Sequence, residues 1–258
     1  MKKHVILGID VGGTGIKGGL VDVRSGKMLT ERHRFDTPQP ATPKAVAETV
    51  KKLVDYFEYD GVVGVGFPAI VRRGVAGSAS NIDDSWIGTN ICKTISKKTG
   101  LKVHALNDAD AAGVAAMRFG AARKYADDGT VLMVTIGTGL GGALFVDGNL
   151  MPNLEIGQIY LKDMKKVAER YISGRIRKDS GMEWSEFGRK FNHFLSHADH
   201  IFNPDLIVLG GGTSKSFEKF KEYLSTHADV KPAELRNTAG TIGAAVFAWE
   251  MEQGKNLL

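Results

Sequence analysis

One segment occurs twice, about half a chain apart, and it limits the possible folds more than any other feature. The first copy reads LGIDVGGTGIKGGLVD (7–22) and the second VLMVTIGTGLGGALFVDG (131–148). In each, an apolar run ends at a Gly/Thr turn and a second run ends in Val-Asp. Short apolar runs bounded by glycines read as buried strands. Each copy therefore predicts a strand–turn–strand unit. Helical patterns fill the sequence between and after the copies. Val46, Val50, Leu53, Val54 and Phe57 share one face of a helix that Thr42 and Pro43 open and that runs to about Tyr59. A basic-faced helix follows SWIGTN (85–90) to about Thr99, and an alanine-rich one covers Asp108 to Phe119. Lys162–Trp184, Glu186–Phe202 and Thr238–Glu252 also read as helices. A duplicated β-rich unit with interleaved helices predicts two α/β lobes built from one chain.

Composition excludes several classes. Of the 258 residues, 43% are hydrophobic and 24% charged, which is globular usage and argues against disorder. A single cysteine, Cys92, allows neither an intrachain disulfide nor a multi-cysteine zinc site. The glycine-broken run Val131–Val146 is too short to span a membrane. The start, MKKHVILGID, reaches Asp10 too soon for a signal-peptide core. The expectation is a cytoplasmic protein that binds neither membrane nor nucleic acid.

Both turns match G-x-G-x-x-G, at Gly13–Gly18 and Gly137–Gly142. A dinucleotide fold needs that pattern between strand and helix. Here strands follow, so that fold is rejected, and no P-loop pattern is present. What remains is a hairpin turn whose backbone N–H groups can form an anion-binding concavity. Thr14 and Thr138 add hydroxyls and Lys17 a cation. A third run, Gly210–Gly212, follows the apolar strand DLIVLG. Taken singly, each turn is better explained by glycine's freedom at positive φ; three at strand ends shift the reading towards phosphate handling. Asp10 ends the first strand, where it could hold Mg²⁺ through water or start an Asx turn. Asp108 begins a helix, as an N-cap or as an acceptor for an alcohol's proton during phosphoryl transfer.

DVGGTGIKGG, TPQPATP, SWIGTN, LNDADAAG, TIGTGLGG, PNLEIG, GGG and NTAGTIGAA occur in that order. Together they resemble the polyphosphate-using glucokinase branch of the ROK (repressor/kinase) family of sugar kinases. The resemblance runs from about Leu7 to Ala245. It implies an α/β, two-lobed actin/hexokinase-like fold of the duplicated ribonuclease H-like kind, with the active site in the cleft between lobes. The lobes would be 1–107, with a C-terminal helix at about 240–258 packing back on it, and 108–239. It implies transfer of the terminal phosphoryl group of polyphosphate, with ATP as a further donor, to the 6-hydroxyl of glucose. Asp108 would be the general base, and Asn81, Asn107, Glu155 and Gln158 would contact the sugar. Asp10, Gly12, Gly13, Thr14, Lys17, Gly137, Thr138, Gly139, Gly211 and Gly212 would serve the donor's phosphates, with Mg²⁺ at Asp10. Family members are commonly homodimers. The chain departs from the family at Gln158, which replaces a histidine. The family's cysteine cluster is absent, so no structural zinc is expected. An ATP-dependent ROK hexokinase acting on another hexose is the alternative. ROK regulators carry a winged-helix domain before the first strand; this chain enters that strand by about His4, which speaks against that class.

The charge is localised. Lys162, Lys165, Lys166, Arg170, Arg175, Arg177 and Lys178 stand against two acids, a balance equal to the whole chain's net +5. Such a run is often just a solvated face. For a long polyanion it would raise the local donor concentration, so a polyphosphate track is expected here.

Overall fold

A computed structural model describes residues 4–254 and places each glycine turn inside a hairpin. Strands β1 (Val5–Val11) and β2 (Gly15–Asp22) pair antiparallel across the first turn. β3 (Lys27–Met28) and β4 (His33–Asp36) both add to the outer edge of β2. Helix α1 (Pro43–Tyr56) starts as its sequence dictates: Thr42 Oγ1 accepts from Ala45 N and proline takes the first position. β5 (Val63–Phe67) lies parallel to β1. A small hairpin, β6 (Val71–Arg72) and β7 (Val75–Ala76), stands apart from the main sheet. Asn90 caps α2 (Ile91–Thr99), which Gly100 ends in the left-handed region. β8 (Val103–Asn107) runs parallel to β5 and leads into α3 (Asp108–Phe119). The sheet order is β3-β2-β1-β5-β8.

The second hairpin joins β9 (Thr130–Ile136) to β10 (Leu140–Val146), and β11 (Asn149–Leu154) pairs with β10. Helices α4 (Glu169–Ile172), α5 (Gly174–Asp179) and α6 (Trp184–Phe202) follow. β12 (Leu206–Gly210) is parallel to β9, and β13 (Asp229–Pro232) is parallel to β12. The order is β11-β10-β9-β12-β13. Each sheet is thus an antiparallel hairpin with two parallel strands on its inner side; on the outer side the first sheet adds β3 and β4 and the second adds β11. The repeat seen in sequence is a repeat of topology. Fully buried Phe187, Phe191, Phe194 and Phe220 fill the core beside this second sheet.

The last helix, α7 (Ala239–Glu252), belongs to the first unit, which comprises the chain up to Ala115 and from Thr238. Residues 116–237 form the second unit. The division falls inside α3 because that helix's first turns are packed into the first unit. An added Cβ on Gly66 would lie 3.4 Å from Ala111 Cβ, and one on Gly243 1.6 Å from Ala111 O. Residues 255–258, included in the sequence-predicted last helix, lie outside the described residues.

One predicted element is different in kind. Lys162–Trp184 is not a single helix: turns lead to the four-residue α4 and the six-residue α5. Ser173 is extended (ψ 162°) and caps α5, accepting from Ile176 N, and Gly181 (φ 65°) ends the segment. These Ser-Gly breaks interrupt the helical hydrogen bonds. Among the described residues, no helix is long and apolar enough to cross a membrane.

Candidate active site

In the first unit, β1, β5 and β8 are parallel and end together. Asp10 pairs with Gly66, and Phe67 with Asn107. Asp10 and Asp108 therefore lie at the same sheet end with β5 between them, two strand spacings or about 10 Å apart. The carboxyl ends of parallel strands are where α/β sheets bind ligands. Asn107 is buried and its side chain is committed. Its Oδ1 accepts from Ala109 N (2.8 Å) and Asp110 N (3.2 Å), and its Nδ2 donates to Ala69 O (3.0 Å). The capping of α3 thus rests mainly on Asn107; Asp108 is exposed at the helix start, its Oδ1 also accepting from Ala109 N (2.8 Å).

Burial pushes the Asp10 carboxyl above the usual range, against the opposing pull of Lys17 and Arg32. Gly240 keeps space beside it, since an added Cβ would sit 3.3 Å from Asp10 Cγ. The first turn itself packs on Asn81: a Cβ on Gly13 would be 2.9 Å from Asn81 Cβ. Asn81 adopts a left-handed conformation (φ 61°), which asparagine tolerates better than most residues. The first unit thus gathers Asp10, Gly12, Gly13, Thr14, Lys17, Asn81, Asn107 and Asp108 about one sheet end and its hairpin.

In the second unit, Gly137 N donates to Gly139 O (3.0 Å), and Gly137 O accepts from Arg175 N (3.2 Å). Gly174 has no room for a side chain; its Cβ would meet Thr213 Oγ1 at 2.2 Å and Gly137 O at 2.9 Å. The second turn, the start of α5 and the residue after Gly211–Gly212 therefore converge. Thr138 is exposed at the tip.

Glu169, which the sequence reading counted only as an acid within a basic run, links these parts. Its Oε2 accepts from Leu140 N (3.3 Å) just after the turn, and its Oε1 accepts from Gln158 Nε2 (2.9 Å). Glu155 starts the single turn containing Gln158. Its carboxyl is pushed up, first by desolvation and then by the Glu169 carboxylate. Removing the charge at 169 should therefore let Glu155 ionise at lower pH. In Glu169→Gln, the Glu155 carboxyl is expected to titrate at lower pH. A carboxyl-observed NMR titration would read it, and an unmoved or raised titration would refute the coupling.

The basic segment is less uniform than its sequence. Lys162, Lys165, Lys166, Arg170, Arg175 and Lys178 are exposed. Arg177 is half-buried, its guanidinium 3.5 Å from the Trp184 ring centroid, with Lys219 at 5.8 Å from the same ring. Stacking of this kind is structural, and it removes Arg177 from any exposed track. Among the described residues, no group of three or more His, Cys, Asp or Glu side chains could hold a metal ion.

Comparison with known proteins places these features in context. The ROK family profile matches residues 6–168. The chain is 41% identical over 240 residues to a polyphosphate glucokinase of Mycobacterium tuberculosis, covering 93% of this chain and 89% of that one. A crystal structure of an inorganic polyphosphate/ATP-glucomannokinase from Arthrobacter sp. strain KM superposes with a TM-score of 0.90 at 42% identity. It covers 96% of this chain and 99% of that one. A ROK family glucokinase from Streptomyces griseus, in complex with glucose and AMPPNP, gives 0.81 at 26% identity, covering 95% and 99%.

Proposed function

The chain belongs to the ROK family, and from that premise we propose that it is a polyphosphate-dependent glucokinase. It moves the terminal phosphoryl group of polyphosphate, and of ATP as a second donor, to the 6-hydroxyl of glucose, yielding glucose 6-phosphate. The observation that carries this reading is identity above 40% over more than nine-tenths of the chain to relatives named for this donor.

In this reading Asp108 accepts the proton of the 6-hydroxyl as its oxygen bonds to the terminal phosphorus. The bond from that phosphorus to the bridging oxygen breaks, and the shortened donor leaves with the electron pair. Asn81, Asn107, Glu155, Gln158 and Glu169 orient the sugar. Asn107 has one amide hydrogen left for it, the rest of its side chain being spent on α3 and Ala69. Backbone N–H groups at Gly12–Thr14 and Gly137–Gly139 face the donor's phosphates, as oriented amides do in anion-binding turns. Asp10 would hold Mg²⁺. A single desolvated carboxylate with open space beside it suits that ion, which keeps most of its waters and takes few protein ligands. Mg²⁺ neutralises charge on the phosphoryl oxygens when bound. A cytoplasmic location fits the lone cysteine.

The test is a coupled assay of glucose and other hexoses, each with polyphosphate and with ATP. Transfer to glucose from ATP alone would displace polyphosphate as donor. The same assay examines the track. Because α5 begins against the second turn, Arg175 and Lys178 lie three apart on one short helix beside it. Arg175→Ala with Lys178→Ala should raise KM for long polyphosphate several-fold, leave KM for ATP unchanged, and flatten the salt dependence of the polyphosphate reaction. Equal losses with both donors would make these side chains structural.

A further inference from the structure

The first glycine turn is held by its carbonyl groups. Gly12 O accepts from Thr37 Oγ1 (2.5 Å), and Gly13 O accepts from Gln39 Nε2 (3.5 Å). Thr14 O accepts from Arg34 Nη2 (2.7 Å) and from Thr37 N (3.5 Å). Gly15 O accepts from Gly12 N (3.1 Å). Four consecutive carbonyls are therefore occupied. The three side-chain donors come from one short stretch, the strand β4 and the residues just after it, and β4 pairs with β2 beside the turn. An ion pair with Asp36 (3.0 Å) steadies the Arg34 guanidinium.

The direction of the N–H groups follows from peptide geometry. In a planar trans peptide, C=O and N–H point in opposite directions. Holding the carbonyls of Gly12 and Gly13 toward residues 34–39 aims the N–H groups of Gly13 and Thr14 away from them. Neither N–H has an intramolecular acceptor among the described residues. Thr37 is buried behind the turn, while Thr14 is exposed in front of it. One side of the turn is saturated and the other presents two adjacent donors.

We propose that Arg34, Thr37 and Gln39 are positioning residues for the phosphoryl donor. By fixing the carbonyls of Gly12 and Gly13, with Arg34 steadying the next one, they keep the N–H groups of Gly13 and Thr14 turned toward the donor's terminal phosphates. This inference rests on the phosphotransfer reading above. Fixed dipoles stabilise developing charge without reorganising at the moment of reaction. A turn free to rotate its peptides would present carbonyl oxygens to the anion for part of the time.

Thr37→Val removes the hydroxyl while keeping shape and β-branching. It should weaken tripolyphosphate binding about tenfold by calorimetry, the effect of one lost buried hydrogen bond. KM for polyphosphate and for ATP should rise to the same degree, with glucose affinity unchanged. Thr37→Ser should restore both donor constants to within about twofold of wild type. Gln39→Met lies at an exposed position and does not depend on core packing; it should act in the same direction with a smaller rise. Unchanged tripolyphosphate affinity in both variants would overturn the proposal. Glucose binding weakened as much as donor binding, or no rescue by serine, would do so too. A wild type that transfers nothing from either donor would overturn the function instead, while the tripolyphosphate titrations still decide the positioning role.

Discussion

Asp108→Asn is expected to lower turnover by ~10²–10⁴-fold, the usual contribution of a general base, while glucose still binds. The substitution keeps size and shape and removes only the ability to take a proton. Its interpretation depends on the helix it begins. Were Asp108 the cap of α3, losing its charge would weaken the helix and confuse chemistry with stability. Asn107 carries most of that load, accepting from both Ala109 and Asp110, and the amide Oδ1 of the variant can still accept the Ala109 N–H that Asp108 shares. The variant should therefore melt close to wild type. Turnover by coupled assay, glucose affinity by calorimetry and a thermal melt are enough to judge it. Turnover within a few-fold of wild type would mean that another group takes the proton.

Gly243→Ala should strongly destabilise the fold without touching the chemistry. The added Cβ would lie 1.6 Å from Ala111 O and 2.6 Å from Ala111 C. Backbone cannot swing aside as a side chain can. Two other close approaches hold the same helix from the other side. A Cβ on Gly8 would meet Thr241 O at 2.0 Å, and one on Gly64 would meet Ala244 O at 1.9 Å. Relief by shifting α7 is therefore blocked. Overpacking usually costs about 1–3 kcal/mol and occasionally more; this site belongs at or above the top of that range. For a chain of this size that lowers Tm by roughly 10 °C. Gly181→Ala is the control, with φ 65° but nothing within 4 Å of the added atom; it should cost about 1 kcal/mol for conformation alone. Melting of Gly243→Ala within two degrees of wild type would show that α7 can yield after all.

The sequence makes legible those parts of the fold that local chemistry determines. The two hairpins declare themselves because an apolar strand, a glycine turn and a second strand are contiguous. Helix α1 does so because Thr42, Pro43 and a 3.6-residue apolar stripe agree. What stays hidden depends on residues distant in sequence. β3, β6 and β7 are two-residue strands, too short to carry a period, and their partners define them. The basic segment has the composition of a helix, but Ser173-Gly174 and Gly181 cut it, and Gly174 must be glycine because Thr213 and Gly137 crowd it. Arg177 looks like one cation among seven until Trp184 is found against it. Glu169 carries no local signal; its role comes from Leu140 and Gln158, 29 and 11 positions away. Asn107 and Asp108 are adjacent, and only the hydrogen bonds separate cap from candidate base.

Helix α7 closes the first sheet with the last part of the chain, and this sets an order of assembly. During synthesis β1 and β5 emerge early, yet the backbone that Gly8 and Gly64 are shaped to receive arrives only after the whole of residues 116–237. Bridging so long an interval costs little entropy, because closure grows only with the logarithm of length. The delay is a matter of time rather than energy. The second unit is continuous and can complete its core as soon as it leaves the ribosome. The first must wait with one apolar face of its sheet uncovered, the condition in which nascent chains associate with one another. Domains commonly fold in the order they are made; here the unit begun first is finished last.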